Sequence, residues 1–360
     1  MFFTSFFRLV LLGGLAAAQT AVVTTYGDSA VAGDSTVQYT LGADDFDAPK
    51  VDFYNATSAQ WWYFDVVSTD LTQSVVISFL GNAPGATGTP VGEVPFNFIE
   101  VNLQLPNSSL VALSAAAESI TLTTVGNGLS GVMNGAGYNW SGAPDLSNIL
   151  IKINDTVNGL SGSIQFNSKA PYHASCGPAT EGASLLVSPH LGWGNSIPNS
   201  LASVSLNYQG QQLSYQGSGY HDSNWGDRAF SADLGSWYWG HAQFGSYSLV
   251  WFDMMDNTGV EHQLGYLAAN DTIIANSCGT IPVRPTGANS AYPPIAGLLP
   301  TGFQIVYNMS SAGILEVNVT NYQAIVSYPG VYTRWVGSVV GGIRGETAYT
   351  GIGLYEEMGG

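Results

Sequence analysis

The chain has 360 residues, 45% hydrophobic and 12% aromatic, which is enough apolar material for a core and excludes wholesale disorder. Only 9% of residues are charged, against 44 glycines, and eight Lys and Arg face 25 Asp and Glu for a net charge of −17. A polyanion of this kind excludes nucleic acid as a partner and disfavours anionic membrane surfaces, while the scarcity of Lys, Glu and Arg argues against helical surfaces.

Taken from the start, Met1-Phe2-Phe3, a single cation at Arg8, an apolar run from Leu9 to Leu15 and the small residues Ala16-Ala17-Ala18 predict a signal peptide over residues 1–18, cleaved between Ala18 and Gln19. No later stretch approaches the roughly 18 apolar residues of a membrane span. Seven Asn-x-Ser/Thr sequons follow, at Asn55, Asn107, Asn139, Asn154, Asn270, Asn308 and Asn318, which suits a glycosylated protein of the secretory pathway. Cys176 and Cys278 are the two cysteines, and in an oxidising compartment they are expected to pair. Closing a loop of about 100 residues would stabilise the fold by up to roughly 4–5 kcal/mol.

Strand signals then dominate. Segments 61–67, 74–80, 96–103, 150–153 and 160–166 are β-branched, aromatic or alternating, and Gly, Pro and Asn bound them. The style resumes at 237–241, 247–252, 302–307, 314–319 and 332–336. Many short antiparallel strands make an all-β protein of sandwiches or barrels. Segments 170–200 and 276–300, each with one cysteine and several Gly or Pro, read as long ordered loops.

Chemistry-bearing motifs are few. A G-x-S-x-G elbow, a P-loop and H-E-x-x-H are missing, and His173, His190, His221, His241 and His262 match no local metal spacing, so neither metal nor cofactor is expected. The densest polar signal is Gly217 to Arg228, where His221, Asp222, Asn224, Asp227 and Arg228 crowd together beside glycines. It reads either as a buried network joining two domains or as acid, base and hydrogen-bond donors reaching a pocket. Strand alternation keeps His221 and Asp222 from facing one ligand together. In Trp237-Tyr238-Trp239 the same alternation puts both indoles on one face, a flat wall suited to a ring-shaped or polyene ligand, unless they are simply core.

The Gln60-Trp61-Trp62-Tyr63-Phe64-Asp65 strand, the Gly219-Tyr220-His221-Asp222-Ser223-Asn224-Trp225-Gly226 block, Trp237-Tyr238-Trp239 and the terminal run from Gly345 to Glu356 resemble, in order and spacing, the carotenoid 1,2-hydratase superfamily that includes the fungal lipocalin-like Diels-Alderases. Gln60 stands where relatives often carry Glu, and Ser223 where the hydratases often carry His. The resemblance implies an N-terminal β-sandwich over 19–228, a C-terminal lipocalin-like β-barrel over 229–360, and a substrate pocket between them. It further implies a pericyclase like the secreted-type hetero-Diels-Alderases, joining a tropolone-derived o-quinone methide to a humulene-type sesquiterpene without a cofactor. Candidate catalytic residues are His221, Asp222, His241 and Arg334. Gln60, Trp62, Asn224, Trp225, Trp237, Trp239 and Trp335 are the candidate binding residues for lipophilic substrates. A hydratase or isomerase of terpenoid double bonds, a carrier of lipophilic molecules and a carbohydrate-binding sandwich are the alternatives.

Overall fold

The computed structural model describes residues 19–88, 90, 92–295, 297–328 and 331–359. The expected signal peptide, residues 1–18, lies outside the described residues. Each strand expected from the sequence is present, and most extend by one to a few residues.

Two antiparallel sheets account for the fold. The first has 14 strands between Val22 and Gly226, and the second has 9 strands between Leu234 and Gly359. The first folds over on itself, so that Ile120, Leu122 and Ile151 from one half meet Trp62, Phe64, Phe79 and Ile99 from the other in a sandwich core. The second curls into a half-barrel around Tyr238, Phe244, Trp251, Phe303, Tyr307, Trp335 and Tyr355. Its end strands, Thr272–Cys278 and Val283–Thr286, do not pair with each other.

A third core joins the two bodies. Tyr63, Val76, Trp193 and Tyr220 leave the outer face of the first sheet to meet Trp237, Trp239, Phe252, Tyr266 and Leu354 on the outer face of the second. Period-two alternation makes this possible, because one strand serves two cores at once. In the Ala59–Ser68 strand, Trp62, Phe64 and Val66 enter the sandwich while Tyr63 and Val67 enter the interface. Cys176 and Cys278 form a disulfide across the same junction, with Cα atoms 5.5 Å apart.

Segment 191–200 departs from the sequence expectation. It opens a strand, Leu191–Tyr208, rather than continuing a loop. Its glycines serve packing: a Cβ on Gly192 would lie 2.3 Å from the Trp225 indole, and Pro198 falls where the pairing register slips between Ile197 and Ser200. Segment 276–300 is likewise interrupted by the strand Val283–Thr286.

Candidate active site

At the interface the two sheets part around a cavity of about 410 Å³. Trp61 and Tyr63 line it from the Ala59–Ser68 strand, and Asp222 and Asn224 from Gln211–Gly226. Antiparallel register puts these four together, since Tyr63 sits opposite Asp222 and Trp61 opposite Asn224. Trp237 and Trp239 supply the facing wall, as the alternation of that strand predicts, while Tyr238 turns into the barrel. Phe230, from the short 3-10 helix Phe230–Ala232, packs edge-on against both Trp61 and Trp237 at the rim.

Two polar poles interrupt this apolar lining. At one, Asp222 Oδ2 accepts from Trp193 Nε1 and from the Tyr220 hydroxyl, both at 2.8 Å, and Oδ1 accepts from Asn224 Nδ2 at 3.1 Å. Burial pushes the Asp222 pKa up to about 7, even though the Trp193 and Tyr220 donors favour the charged form. Beneath it, His241 Nε2 bonds the buried Asp65 carboxylate at 2.9 Å, and its ring stacks on Tyr220 at 4.4 Å.

At the other pole, Glu356 accepts from Arg334 Nε at 2.9 Å, the Tyr332 hydroxyl at 2.7 Å and Trp237 Nε1 at 3.1 Å. The Arg334 guanidinium lies over the rings of Tyr63 and Tyr332 at 5.0 and 5.2 Å. Burial opposes its charge, but Tyr332, Tyr63 and Glu356 outweigh that and hold it protonated. Glu100 reaches the cavity from the Asn97–Gln104 strand.

Among the sequence candidates, Asp222, Arg334, Asn224, Trp237 and Trp239 meet at the cavity, and His241 lies one layer behind it. The others are elsewhere. His221 points into the sandwich, where it donates to Asp47 Oδ2 at 3.1 Å and to the Tyr63 carbonyl at 2.9 Å, stacked face to face on Phe64 at 3.9 Å. Burial works against charging this imidazole, but the Asp47 carboxylate outweighs it and raises the pKa. Gln60 accepts from the Lys50 backbone and donates to Ser223 Oγ, Trp225 Nε1 donates to the Gln38 carbonyl, and Trp62 packs on Trp140. Trp335 fills the barrel against Tyr355 and Phe303. Alternation decides each case: Gln60, Trp62, His221 and Trp225 occupy the sandwich-facing parity of their strands, and Trp335 the barrel-facing one.

Trp61, Tyr63, Glu100, Tyr332 and Glu356 went unrecognised in the sequence. The signal for Trp61 and Tyr63 was the parity of Asp222 carried across the ladder. For Glu100 and Glu356 it was a carboxylate set inside an apolar strand of a chain that has few. Of the sequon asparagines, Asn107, Asn154, Asn270, Asn308 and Asn318 are exposed, while Asn55 and Asn139 are half-buried.

Comparison with known proteins places this architecture. Residues 17–284 match the model of a family described as Diels-Alderase-like. The chain belongs to that family. Over 91% of its length it is 30% identical to 90% of the quinolone epoxide rearrangement protein asqO of Emericella nidulans. It is also 26% identical, over 54% of the chain and 50% of the relative, to Diels-Alderase ORF3 of Pyricularia oryzae. The crystal structure of CghA with Sch210972 shares the fold, with a TM-score of 0.78 across 94% of this chain and 98% of that one at 15% identity. No helix among the described residues is long and apolar enough to cross a membrane.

Proposed function

We propose that the chain is an enzyme that cyclises or rearranges a neutral, unsaturated small molecule in the inter-sheet cavity, with Asp222 as proton donor and Arg334 as the cation that steadies developing negative charge on oxygen. The observation that carries this is a buried carboxyl group, its pKa pushed up to about 7 by burial, at the wall of an aromatic cavity. A carboxylic acid with a pKa near the working pH is an efficient general acid.

In the Diels-Alder reading, Asp222 protonates the hydroxymethyl oxygen of a tropolone-type precursor, the carbon–oxygen bond breaks and water leaves. The ring hydroxyl returns a proton to the carboxylate, which completes an o-quinone methide. Trp61, Trp237 and Trp239 hold this flat diene against the alkene of a humulene-type sesquiterpene. Orientation of two fragments in this way can be worth roughly 7–11 kcal/mol of barrier, and a hydrogen bond from Arg334 to the ketone oxygen lowers it further.

A second reading is favoured by the relative aligned along nine-tenths of the chain. There Asp222 protonates an epoxide oxygen, the ring opens, and the carbon skeleton rearranges with the proton returned at the end. Incubation of the purified protein with an o-hydroxymethyl tropolone plus humulene, and in parallel with a quinolone epoxide, separates the two by chiral chromatography of the products. Asp222→Asn should slow the reaction by about 10²-fold or more. Binding of either substrate without turnover would make the protein a carrier, and an unimpaired Asp222→Asn would overturn the acid role. The apolar leader, the exposed sequons and the disulfide support residence in the secretory pathway, which a mass shift on glycosidase treatment tests.

A further inference from the structure

The mechanism above uses Asp222 and Arg334, but other polar atoms on the cavity wall remain unexplained. Three residues that line it carry a buried side-chain polar atom with no hydrogen-bond partner: Tyr63 at its hydroxyl, Asn224 at Oδ1 and Trp239 at Nε1. The Trp239 N–H is directed at the Tyr220 oxygen, which leaves Tyr63 and Asn224. Buried polar groups without partners are uncommon in folded proteins, because each forfeits its hydration for nothing. Both residues line one cavity, so a partner for each is to be sought there.

Their chemistry is complementary. Asn224 Nδ2 is committed to Asp222 Oδ1, so the amide oxygen is its free end, and an amide oxygen only accepts. Burial pushes the Tyr63 pKa well above the ordinary phenol value, so the hydroxyl keeps its proton and can donate. Trp61 sits opposite Asn224 and Tyr63 opposite Asp222 on adjacent strands, which makes Asn224 and Tyr63 diagonal neighbours on one face.

We propose that Asn224 and Tyr63 are specificity-determining residues, and that the cavity selects substrates whose otherwise apolar skeleton carries both an N–H or O–H donor, received by Asn224 Oδ1, and an acceptor oxygen, bound by the Tyr63 hydroxyl. Lactams and hydroxy-ketones belong to this class; plain polyenes do not. The proposal rests on the cavity being the reaction site, but it is tested through binding of unreactive probes, so that its failure is separate from failure of the acid chemistry.

Calorimetric titration of the full chain, and of Asp222→Asn, with quinolin-2(1H)-one, its N-methyl derivative and naphthalene provides the test. The lactam offers donor and acceptor, the N-methyl compound only the acceptor, and naphthalene neither. The lactam should bind about tenfold or more tighter than its N-methyl derivative, and both tighter than naphthalene. Asn224→Leu should erase the preference for the N–H while leaving the N-methyl compound unaffected, which a merely steric effect of the methyl group would not do. Tyr63→Phe, nearly isosteric and therefore safe for folding, should weaken both oxygen-bearing probes and spare naphthalene. Equal affinity of lactam and N-methyl compound in the unaltered protein, or a Tyr63→Phe variant that weakens all three probes alike, overturns the proposal. If Asn224→Leu fails to fold, the ratio in the unaltered protein and the Tyr63→Phe result still decide it.

Discussion

Burial and hydrogen bonding pull Asp222 in opposite directions, and the balance sets the pH at which it can act. Its proton is kept by desolvation and loosened by the Tyr220 hydroxyl and the Trp193 N–H, so removing a donor raises the pKa further. The rate should therefore be constant below about pH 7 and fall above it, and Tyr220→Phe should move that falling limb to higher pH. A pH–rate profile of both proteins checks this, and an unmoved limb would detach Asp222 from the titration. His221, next in sequence, makes the contrast. Its imidazolium is the partner of Asp47, whose side chain is fully buried and whose other oxygen accepts from Ser196. His221→Ala would remove the ring partner of that buried group, at a cost of about 3–5 kcal/mol. The variant should melt much lower, with activity falling only as its folded fraction falls, which paired melting and rate measurements would establish.

At the scale of a strand, the outcome depends on which parity faces which core. Trp61 and Trp62 are neighbours, yet Trp61 lines the cavity and Trp62 is fully buried against Trp140 and the sandwich. Trp61→Ala should weaken binding of an aromatic probe severalfold with little loss of stability. Trp62→Ala should cost about 3–5 kcal/mol of stability, the usual scale for emptying a buried indole site; denaturant melts and probe titrations on both variants separate the two. The all-β class and ten of the 23 described strands were legible in the sequence, because alternation, β-branching and Gly/Pro boundaries are local. The face was not legible. In a chain with three cores both faces of the Ala59–Ser68 strand and of the 217–226 end of its partner are buried, so the usual hydrophobic-in, polar-out contrast is lost, and Gln60, Trp62 and Trp225, expected at the pocket, face the sandwich. Trp237 and Trp239 share one face, as the alternation implies, because only their mutual parity was needed. Segment 191–200 misled for a related reason: its glycines read as loop punctuation but make room for the Trp225 ring.

Across the whole molecule, buried carboxyls make stability depend on pH in a direction opposite to the common pattern of acid-labile proteins. Burial raises Asp222 and Glu357 to about 7 each and raises Asp253 as well, so the folded chain keeps protons there that the unfolded chain releases above its ordinary carboxyl range near pH 4. Between about pH 4.5 and 7 the native state thus holds more protons than the unfolded state, and unfolding free energy falls as pH rises. His173 opposes this. Burial lowers it to about 4, so the unfolded chain binds a proton below about pH 6.5 that the native state refuses, and stability from this group grows with pH over the same interval. Three groups against one leave a net fall, and His221, raised by Asp47, adds to it above pH 6.5. The growing repulsion among 25 acidic residues acts in the same sense. Denaturant melts should therefore show the protein more stable at pH 5 than at pH 7.5, with a slope on the order of 1–3 kcal/mol per pH unit between them. Asp222→Asn removes one of the three retained protons, so its slope should be shallower by about 1.4 kcal/mol per pH unit between pH 5 and 6.5, whatever its absolute stability. A slope identical to that of the unaltered protein would mean that Asp222 is ionised in the folded chain, and the cavity would then hold a carboxylate where the proposed chemistry needs an acid.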